Sequence, residues 1–517
     1  MSTGSNRKKA VHIFYGRTWL VLLALLVQAA VLLVAFTWLA RYRRYFALSF
    51  MALSAVLVIY IVNSKSNPVV KMAWIIPMLL LPVFGGLIYL FIQLQPGPRV
   101  TNRRLQSIQK QTVHFTPESR PAVTEKMACQ DKNLSNLAHY LYQYGGCPAY
   151  ENTEATYFPS GEAKFEALLP ELEKAEKFIF LEYFILEEGY MWDTVLEILK
   201  RKAAEGVEVR LMYDGMCSMS LLPYSYPKYI QQLGIACKMF QPIVPVLDFV
   251  QNNRDHRKIL VIDGQVAFTG GINFADEYIN RKVRFGYWKD TAVMLKGEAV
   301  RSFTLMFLQM WNITEKGNEN YSRYLMQEVS LTPQKPGFVI PYGDSPLDDE
   351  NVGEHLYMDI LNTARQYVHI MTPYLIIDNE MTTALTYAAK RGVRVQLILP
   401  HIPDKKIAFM LARSYYPRLL ESGVEIYEFT PGFVHAKVFT SDDSKAVVGT
   451  VNLDYRSFYH HFECGVYMDG CDTIRTIEQD FQDTLQQCQT VTMETYKKLP
   501  MWYRLLAHVF KLFAPLL

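Results

Sequence analysis

Three uncharged stretches dominate the front of the chain, and short apolar runs separated by turns fill the remainder. No charged residue occurs in 18–40, in 46–62 or in 72–92, which span 23, 17 and 21 positions. A bilayer-crossing helix needs about 20 apolar residues. The first and third stretches therefore predict spanning helices. The second sits at the short limit and reads as a span or as an interfacial or re-entrant segment. Pro82, Gly85 and Gly86 fall inside the third stretch and predict a bend there. The runs are too long and too numerous for a cleaved signal peptide. Residues 18–93 are thus expected to stay as a transmembrane module behind a basic tail at 1–17.

Behind the module the periodicity changes. Residues 94–150 are polar and read as a linker that docks on the first lobe of an α/β region. Lys177–Tyr183 has the length and apolarity of a strand. A helical stretch then ends at Ala204-Glu205-Gly206, and a valine-rich strand begins at Val207. The same succession returns at Tyr367–Tyr374, at Lys390-Arg391-Gly392 and at Val393. In both, glycine stops a helix and β-branched residues open a strand. Such self-similarity predicts an α/β fold of two similar lobes, 151–312 and 351–495. The connection, 313–350, carries Pro333, Pro336, Pro341 and Pro346. In the last segment, 496–517, Arg504, His508 and Lys511 share one face of a helix otherwise covered by Trp502, Leu505, Leu506, Val509, Leu512 and Phe513. That pattern suits a membrane interface, or a helix capping the protein core.

Each lobe carries the same short motif. His256, Lys258 and Asp263 recur as His435, Lys437 and Asp442 at identical spacing. Each set leads into a small-residue turn with an asparagine, Asn273 or Asn452, 17 residues after its histidine. A histidine nitrogen can attack phosphorus and split one displacement into two. A second histidine can protonate the leaving alkoxide and later deprotonate the acceptor. Lysine and asparagine can stabilise the non-bridging oxygens. No metal or other cofactor is required by this inventory. On a strand, each lysine would face the same side as its histidine. One histidine per lobe places the reacting phosphate between the lobes. An aspartate ending an apolar strand also forms turns, so Asp263 and Asp442 have a structural reading beside the catalytic one. Asn273 and Asn452 are expected at the phosphate, with loop support as the other reading. Where the first copy has Ile259–Ile262, the second has the more polar Val438-Phe439-Thr440-Ser441, followed by both Asp442 and Asp443. Spacing selects Asp442.

The paired motifs resemble those of the phospholipase D superfamily. The flanking Phe285–Asp290 and Leu453–Phe458 are similar to those of its bacterial cardiolipin synthases. The resemblance runs from about residue 150 to the C-terminus. It implies two phospholipase D-like lobes packed with pseudo-two-fold symmetry. It also implies conversion of two phosphatidylglycerols into cardiolipin and glycerol through a phosphatidyl-histidine, with His256 as nucleophile. A carboxylate beyond each motif is implied to orient a histidine, and Asp290 and Glu463 are the candidates. Phosphatidylglycerol and anionic membrane lipids are the implied partners, at the cell membrane.

Composition refines the picture. The chain has 517 residues, and 50% are hydrophobic because of the front end. A net charge of +3 gives no support to nucleic-acid binding. Seven cysteines without paired spacing suggest neither a zinc site nor a disulfide framework. Unpaired thiols favour a reducing compartment, and the resemblance agrees with a cytoplasmic catalytic region. The basic residues flanking the three runs do not fix the orientation. A tethered hydrolase of lipid or nucleic-acid phosphodiesters is the alternative within the superfamily. A non-catalytic membrane scaffold is disfavoured because both copies keep every motif residue.

Overall fold

The structure is a computed structural model. It describes residues 43–64, 67–93, 97–116, 121–243, 253–315, 317, 319–325, 337–348, 350–511 and 514, with scattered positions between 26 and 34. These residues fall into two compact units, one drawn chiefly from residues 1–98 and the other from Arg99 onward.

The first unit holds the helices Arg43–Val62, Pro68–Leu80 and Pro82–Gln93. Leu57, Ile61, Met78 and Tyr89 form its small core. Gly85 lets two helices touch, since a Cβ there would lie 2.7 Å from the Met78 backbone. Ser54 Oγ donates to the Pro82 carbonyl at 2.6 Å. The apolar stretch 72–92 is not one helix but two. Pro82 lacks an N–H and disfavours a helical residue before it, and Leu81 leaves the helix at φ −133°, ψ 73°. Among the described residues no helix is long and apolar enough to cross a membrane. Most of the expected span 18–40 lies outside the described residues.

The second unit contains two large sheets. The strands of the first half are β1 Thr153–Phe158, β2 Phe178–Tyr183, β3 Glu208–Asp214, β4 Ala236–Phe240, β5 Arg254–Asp255, β6 Ile259–Ile262, β7 Val266–Gly270, β8 Tyr287–Lys289 and β9 Ala292–Gly297. Those of the second half are β10 Phe338–Asp344, β11 Tyr367–Met371, β12 Leu375–Ile376, β13 Arg394–Pro400, β14 Glu425–Phe429, β15 Gly432–Val434, β16 Val438–Ser441, β17 Lys445–Gly449, β18 Leu453–Asp454, β19 His461–Asp469 and β20 Cys488–Val491. The orders are β1-β9-β7-β6-β2-β3-β4 and β10-β19-β17-β16-β11-β13-β14-β20. The second sheet repeats the first strand for strand and adds β20 at its edge. In each, three parallel strands carry crossover helices and the remainder run antiparallel. All four residues of β6 are buried, as an apolar run covered on both faces requires.

The helices Val300–Trp311 and Thr473–Leu485 follow β9 and β19 and share one core with both sheets. Phe178, Phe180 and Val261 of the first sheet belong to it with Val438, Val448 and Val466 of the second. Phe180 stacks on Phe307 with centroids 4.6 Å apart. Burying each such side chain is worth about 1.5–3 kcal/mol, so the two halves are one folded body.

Two segments differ from their expected roles. The stretch read as a linker folds into the helices Gly97–Thr112, Pro121–Gln130 and Lys132–Gly145. Leu105, Ile108 and Phe115 enter the shared core, and Arg104 Nη2 donates to the Glu315 carbonyl at 2.7 Å. The expected inter-lobe connection contributes β10, an edge strand of the second sheet that also bridges to Tyr150. Alternation of polar and apolar residues was too short there to predict either.

Candidate active site

The short strands outside the large sheets build the site. β5 pairs in parallel with the start of β19, and β15 pairs in parallel with β8. Each histidine comes directly after the strand that crosses to the other lobe. The His256 N–H donates to the Phe462 carbonyl at 3.0 Å, and the His435 N–H donates to the Lys289 carbonyl at 2.7 Å. The carboxylates are consequently exchanged. His256 Nδ1 lies 3.0 Å from both oxygens of Glu463, from the second lobe. His435 Nδ1 lies 2.6 Å from Asp290, from the first.

An anionic partner at Nδ1 fixes the tautomer with hydrogen on Nδ1 and leaves the Nε2 lone pair for chemistry. Burial drives both imidazoles well below their ordinary range, so both are neutral at neutral pH. At His435 the ammonium groups of Lys437, Lys258 and Lys405 act in the same direction. The two carboxylates differ. Burial opposes the charge on Glu463, but the His256 interaction outweighs it and the group stays a carboxylate. Thr450 Oγ1 donates to one of its oxygens and Ser457 Oγ to the other at 2.7 Å. Burial raises Asp290 to about 6 against the pull of Lys437. Gly271 makes room for Asp290, since a Cβ there would lie 2.1 Å from Oδ1. Thr450 occupies the matching place in the second motif.

Lys258 Nζ donates to the His256 carbonyl at 2.5 Å, and Lys437 Nζ donates to that of His435. Burial lowers Lys258 to about 8 and Lys437 to about 7. Each ammonium is charged below its value and neutral above it. A phosphodiester, whose own charge is constant, should therefore bind more weakly as pH rises. Calorimetry with glycerophosphoglycerol between pH 6 and 9 should show affinity falling through pH 7–8, by up to about tenfold per unit for each lysine lost. A flat profile would mean that the lysines do not meet the phosphate.

Asp263 and Asp442 stand at the far ends of β6 and β16, away from the histidines. Both adopt positive φ, 54° and 53°. Asp263 accepts the N–H groups of Glu176, Lys177 and Phe178 at 2.7–2.8 Å. Asp442 accepts those of Arg365, Gln366 and Tyr367 at 2.7–3.0 Å. This corrects the catalytic reading: both aspartates tie the turn after one strand to the start of its neighbour. Asp443 instead accepts the Tyr367 hydroxyl. Asp263→Ala should lower unfolding stability by about 2 kcal/mol or more through lost charge-assisted hydrogen bonds, with kcat/KM nearly unchanged. Parallel thermal melts and rate measurements check this, and a large rate loss in a stable variant would return Asp263 to the chemistry.

Asn273 is tied into its own loop. Its Oδ1 accepts the Ile185 N–H at 2.9 Å and its Nδ2 donates to the Tyr278 hydroxyl at 2.7 Å, so it holds its loop. Asn452 is placed differently. Its N–H donates to Ser457 Oγ, and its buried Oδ1 meets no donor among the described residues.

Further contacts surround the two histidines. Tyr278 and Trp288 flank the His435 ring at 5.6 and 5.4 Å. Phe184 meets His256 edge-on at 4.9 Å. Ser457 and His461 reach the Glu463 carboxylate from positions that no spacing rule marks. For Thr450 a signal existed, because it replaces a glycine of the duplicated turn. The assembly offers two neutral imidazoles with oriented lone pairs, two buried lysine side chains and aromatic walls, which suits displacement at a phosphodiester.

Comparison with known proteins places the chain among phospholipase D-like proteins. Residues 168–311 and 357–485 match the family model described as "Cardiolipin synthase, PLD-like domain". Residues 52–93 match one described as "Phospholipase_D-nuclease N-terminal". An uncharacterized protein of Streptococcus mutans is 53% identical, over 89% of this chain and 99% of its own. A cardiolipin synthase of Alkalihalophilus pseudofirmus is 32% identical, over 89% of this chain and 91% of its own. The crystal structure of a phosphatidylserine synthase from Haemophilus influenzae superposes with a TM-score of 0.55 at 15% identity. It covers 75% of this chain and all of that one, so it speaks to the fold alone.

Proposed function

The chain belongs to the cardiolipin synthase family of phospholipase D-like phosphatidyltransferases, and on that premise we propose that it joins two phosphatidylglycerols into cardiolipin with release of glycerol. The reaction passes through a phosphatidyl group on His256. Reciprocal exchange of carboxylates between the lobes is the observation that carries this reading. It ties two histidines from distant parts of the chain into one buried electrostatic unit.

In the first half, the His256 Nε2 lone pair forms the P–N bond and the P–O bond to glycerol breaks. His435, as imidazolium, gives its proton to the departing oxygen. Burial first, and three ammonium groups after it, depress His435; an arriving phosphodiester anion opposes the ammonium groups and favours uptake of a proton there with the substrate. In the second half, neutral His435 accepts the proton of a second phosphatidylglycerol hydroxyl, which attacks phosphorus as the P–N bond breaks. The assignment of His256 as nucleophile follows the family resemblance, and the unequal carboxylates support it. Glu463, held by Thr450 and Ser457, stays anionic and keeps His256 nucleophilic. Asp290, raised to about 6, leaves His435 in the pair better able to carry an extra proton. Lys258 and Lys437 face the non-bridging oxygens.

The membrane-bound state is part of the same proposal, with residues 18–93 as the membrane module. The match of 52–93 to a family N-terminal segment supports it. So do the exposed Leu48, Met51, Val56, Ile59 and Phe91 of those helices. The C-terminal helix Met501–Lys511 packs one face on the protein and leaves the other open. Ala507 is buried and Lys511 lies over the Tyr415 ring at 4.0 Å, while Met501, Trp502, Leu505 and Val509 face outward. That outer face meets anionic lipid. The double substitution of Trp502 and Leu505 by glutamate should weaken binding of a chain lacking residues 1–93 to phosphatidylglycerol vesicles by about tenfold or more. Unchanged flotation would assign the helix to capping alone.

Purified protein given phosphatidylglycerol alone tests the reaction. Cardiolipin and glycerol in equal amounts are expected. Phosphatidic acid as the main product would make the protein a hydrolase.

A further inference from the structure

His461 has no part in the proposed chemistry, yet it stands beside the nucleophile. It opens β19, two positions before Glu463, so both side chains lie on one face of the strand. Its ring is 5.4 Å from that of His256. Its side chain is 10% exposed, and Nδ1 lies 3.7 Å from Glu463 Oε1. That nitrogen is buried and meets no hydrogen-bond partner among the described residues. The ligand atoms of His256, His461 and Glu463 all lie within 4.8 Å of one another. A tetrahedral zinc ion with bonds of about 2.0–2.1 Å holds its ligand atoms about 3.3 Å apart. The separations of 3.0 Å for His256 to Glu463 and 3.7 Å for His461 to Glu463 bracket that value.

We propose that His256, His461 and Glu463 form an inhibitory site for Zn2+ or a divalent ion of similar preference. The chemistry of inhibition is tautomeric, and it rests on His256 being the nucleophile. A metal bound to His256 Nδ1 takes the lone pair of that nitrogen. The Nδ1 proton must then reside on Nε2, so the neutral ring keeps its proton count and loses the lone pair that attacks phosphorus. His461 Nδ1 and one Glu463 oxygen complete three protein ligands, with water in the fourth place. Thr450 and Ser457 hold the carboxylate in position from outside. Because the metal sits on the Nδ1 side, the lipid still binds. Inhibition therefore lowers kcat and leaves KM alone.

The full chain in detergent, stripped with a chelator, is titrated with Co2+ and then Zn2+. One equivalent of Co2+ should give visible absorption bands of a four-coordinate nitrogen and oxygen site, which Zn2+ abolishes. Zn2+ should reduce kcat more than tenfold at constant KM, and chelation should restore it. His461→Gln and His461→Asn should lose the cobalt bands and the zinc sensitivity, each judged against its own chelated rate. X-ray absorption on the wild-type zinc form should count two imidazoles, which keeps the test independent of how the variants fold. No stoichiometric metal, bands that persist in both variants, or a single imidazole would overturn the site. Metal bound at two imidazoles with undiminished kcat would overturn the inhibition and also count against His256 as nucleophile, whereas absence of metal would leave that role untouched.

Discussion

His256→Ala and His435→Ala should each reduce turnover by about 10⁴-fold or more, and the double variant should be little worse than either. Each imidazole performs a step that the other cannot. Without His256 no P–N bond forms. Without His435 the leaving oxygen departs unprotonated and the acceptor hydroxyl keeps its proton. Effects of groups that act as one unit do not add, so the product of the two single losses is not expected in the double variant. Steady-state rates of cardiolipin formation, with each variant's melting temperature as a check on folding, decide this. A His435→Ala protein turning over near the wild-type rate would remove the second lobe from the chemistry.

Glu463→Gln and Asp290→Asn should be nearly as damaging, with losses of about 10³–10⁴-fold in kcat. An amide in place of the carboxylate keeps the size but can present a donor to Nδ1, which stabilises the wrong tautomer and turns the lone pair away from phosphorus. Glu463→Gln also gives up an acceptor that Thr450, Ser457 and His256 share. The exchanged pairing adds a specific signature. Glu463→Gln should behave as a lesion of His256, abolishing formation of the covalent adduct, although residue 463 lies in the other lobe. Asp290→Asn should behave as a lesion of His435, slowing release of glycerol and transfer to the acceptor. Rapid-quench measurement of the adduct separates the two, with none in Glu463→Gln and slow formation in Asp290→Asn, and the reverse outcome would show that pairing does not obey the hydrogen bonds.

The two-lobe fold was legible because its signals are local. Apolar runs of strand length, glycines closing helices and a duplicated motif need no knowledge of distant contacts. The histidines, the lysines and the candidacy of Asp290 and Glu463 came from the motif and the family resemblance. Which carboxylate serves which histidine did not, because β5–β19 and β8–β15 are pairings between segments far apart in sequence. Asp263 and Asp442 show the opposite failure. They recur at fixed spacing as catalytic residues do, but a repeated fold also repeats its turns, and a left-handed aspartate binding three N–H groups is part of the turn. Leu81 breaks a stretch that hydropathy reads as continuous, because hydropathy does not register the N–H that Pro82 lacks.

Trapping the covalent intermediate tests most directly whether the two lobes form one site with His256 as its nucleophile. Enzyme mixed with radiolabelled phosphatidylglycerol is quenched in alkali within the first turnover, since the P–N bond is lost in acid, and its peptides are mapped by mass spectrometry. A phosphatidyl group on the peptide containing His256, absent from Glu463→Gln and formed more slowly in Asp290→Asn, is the expected result. An adduct on His435, or rapid turnover with no adduct on either histidine, would contradict it.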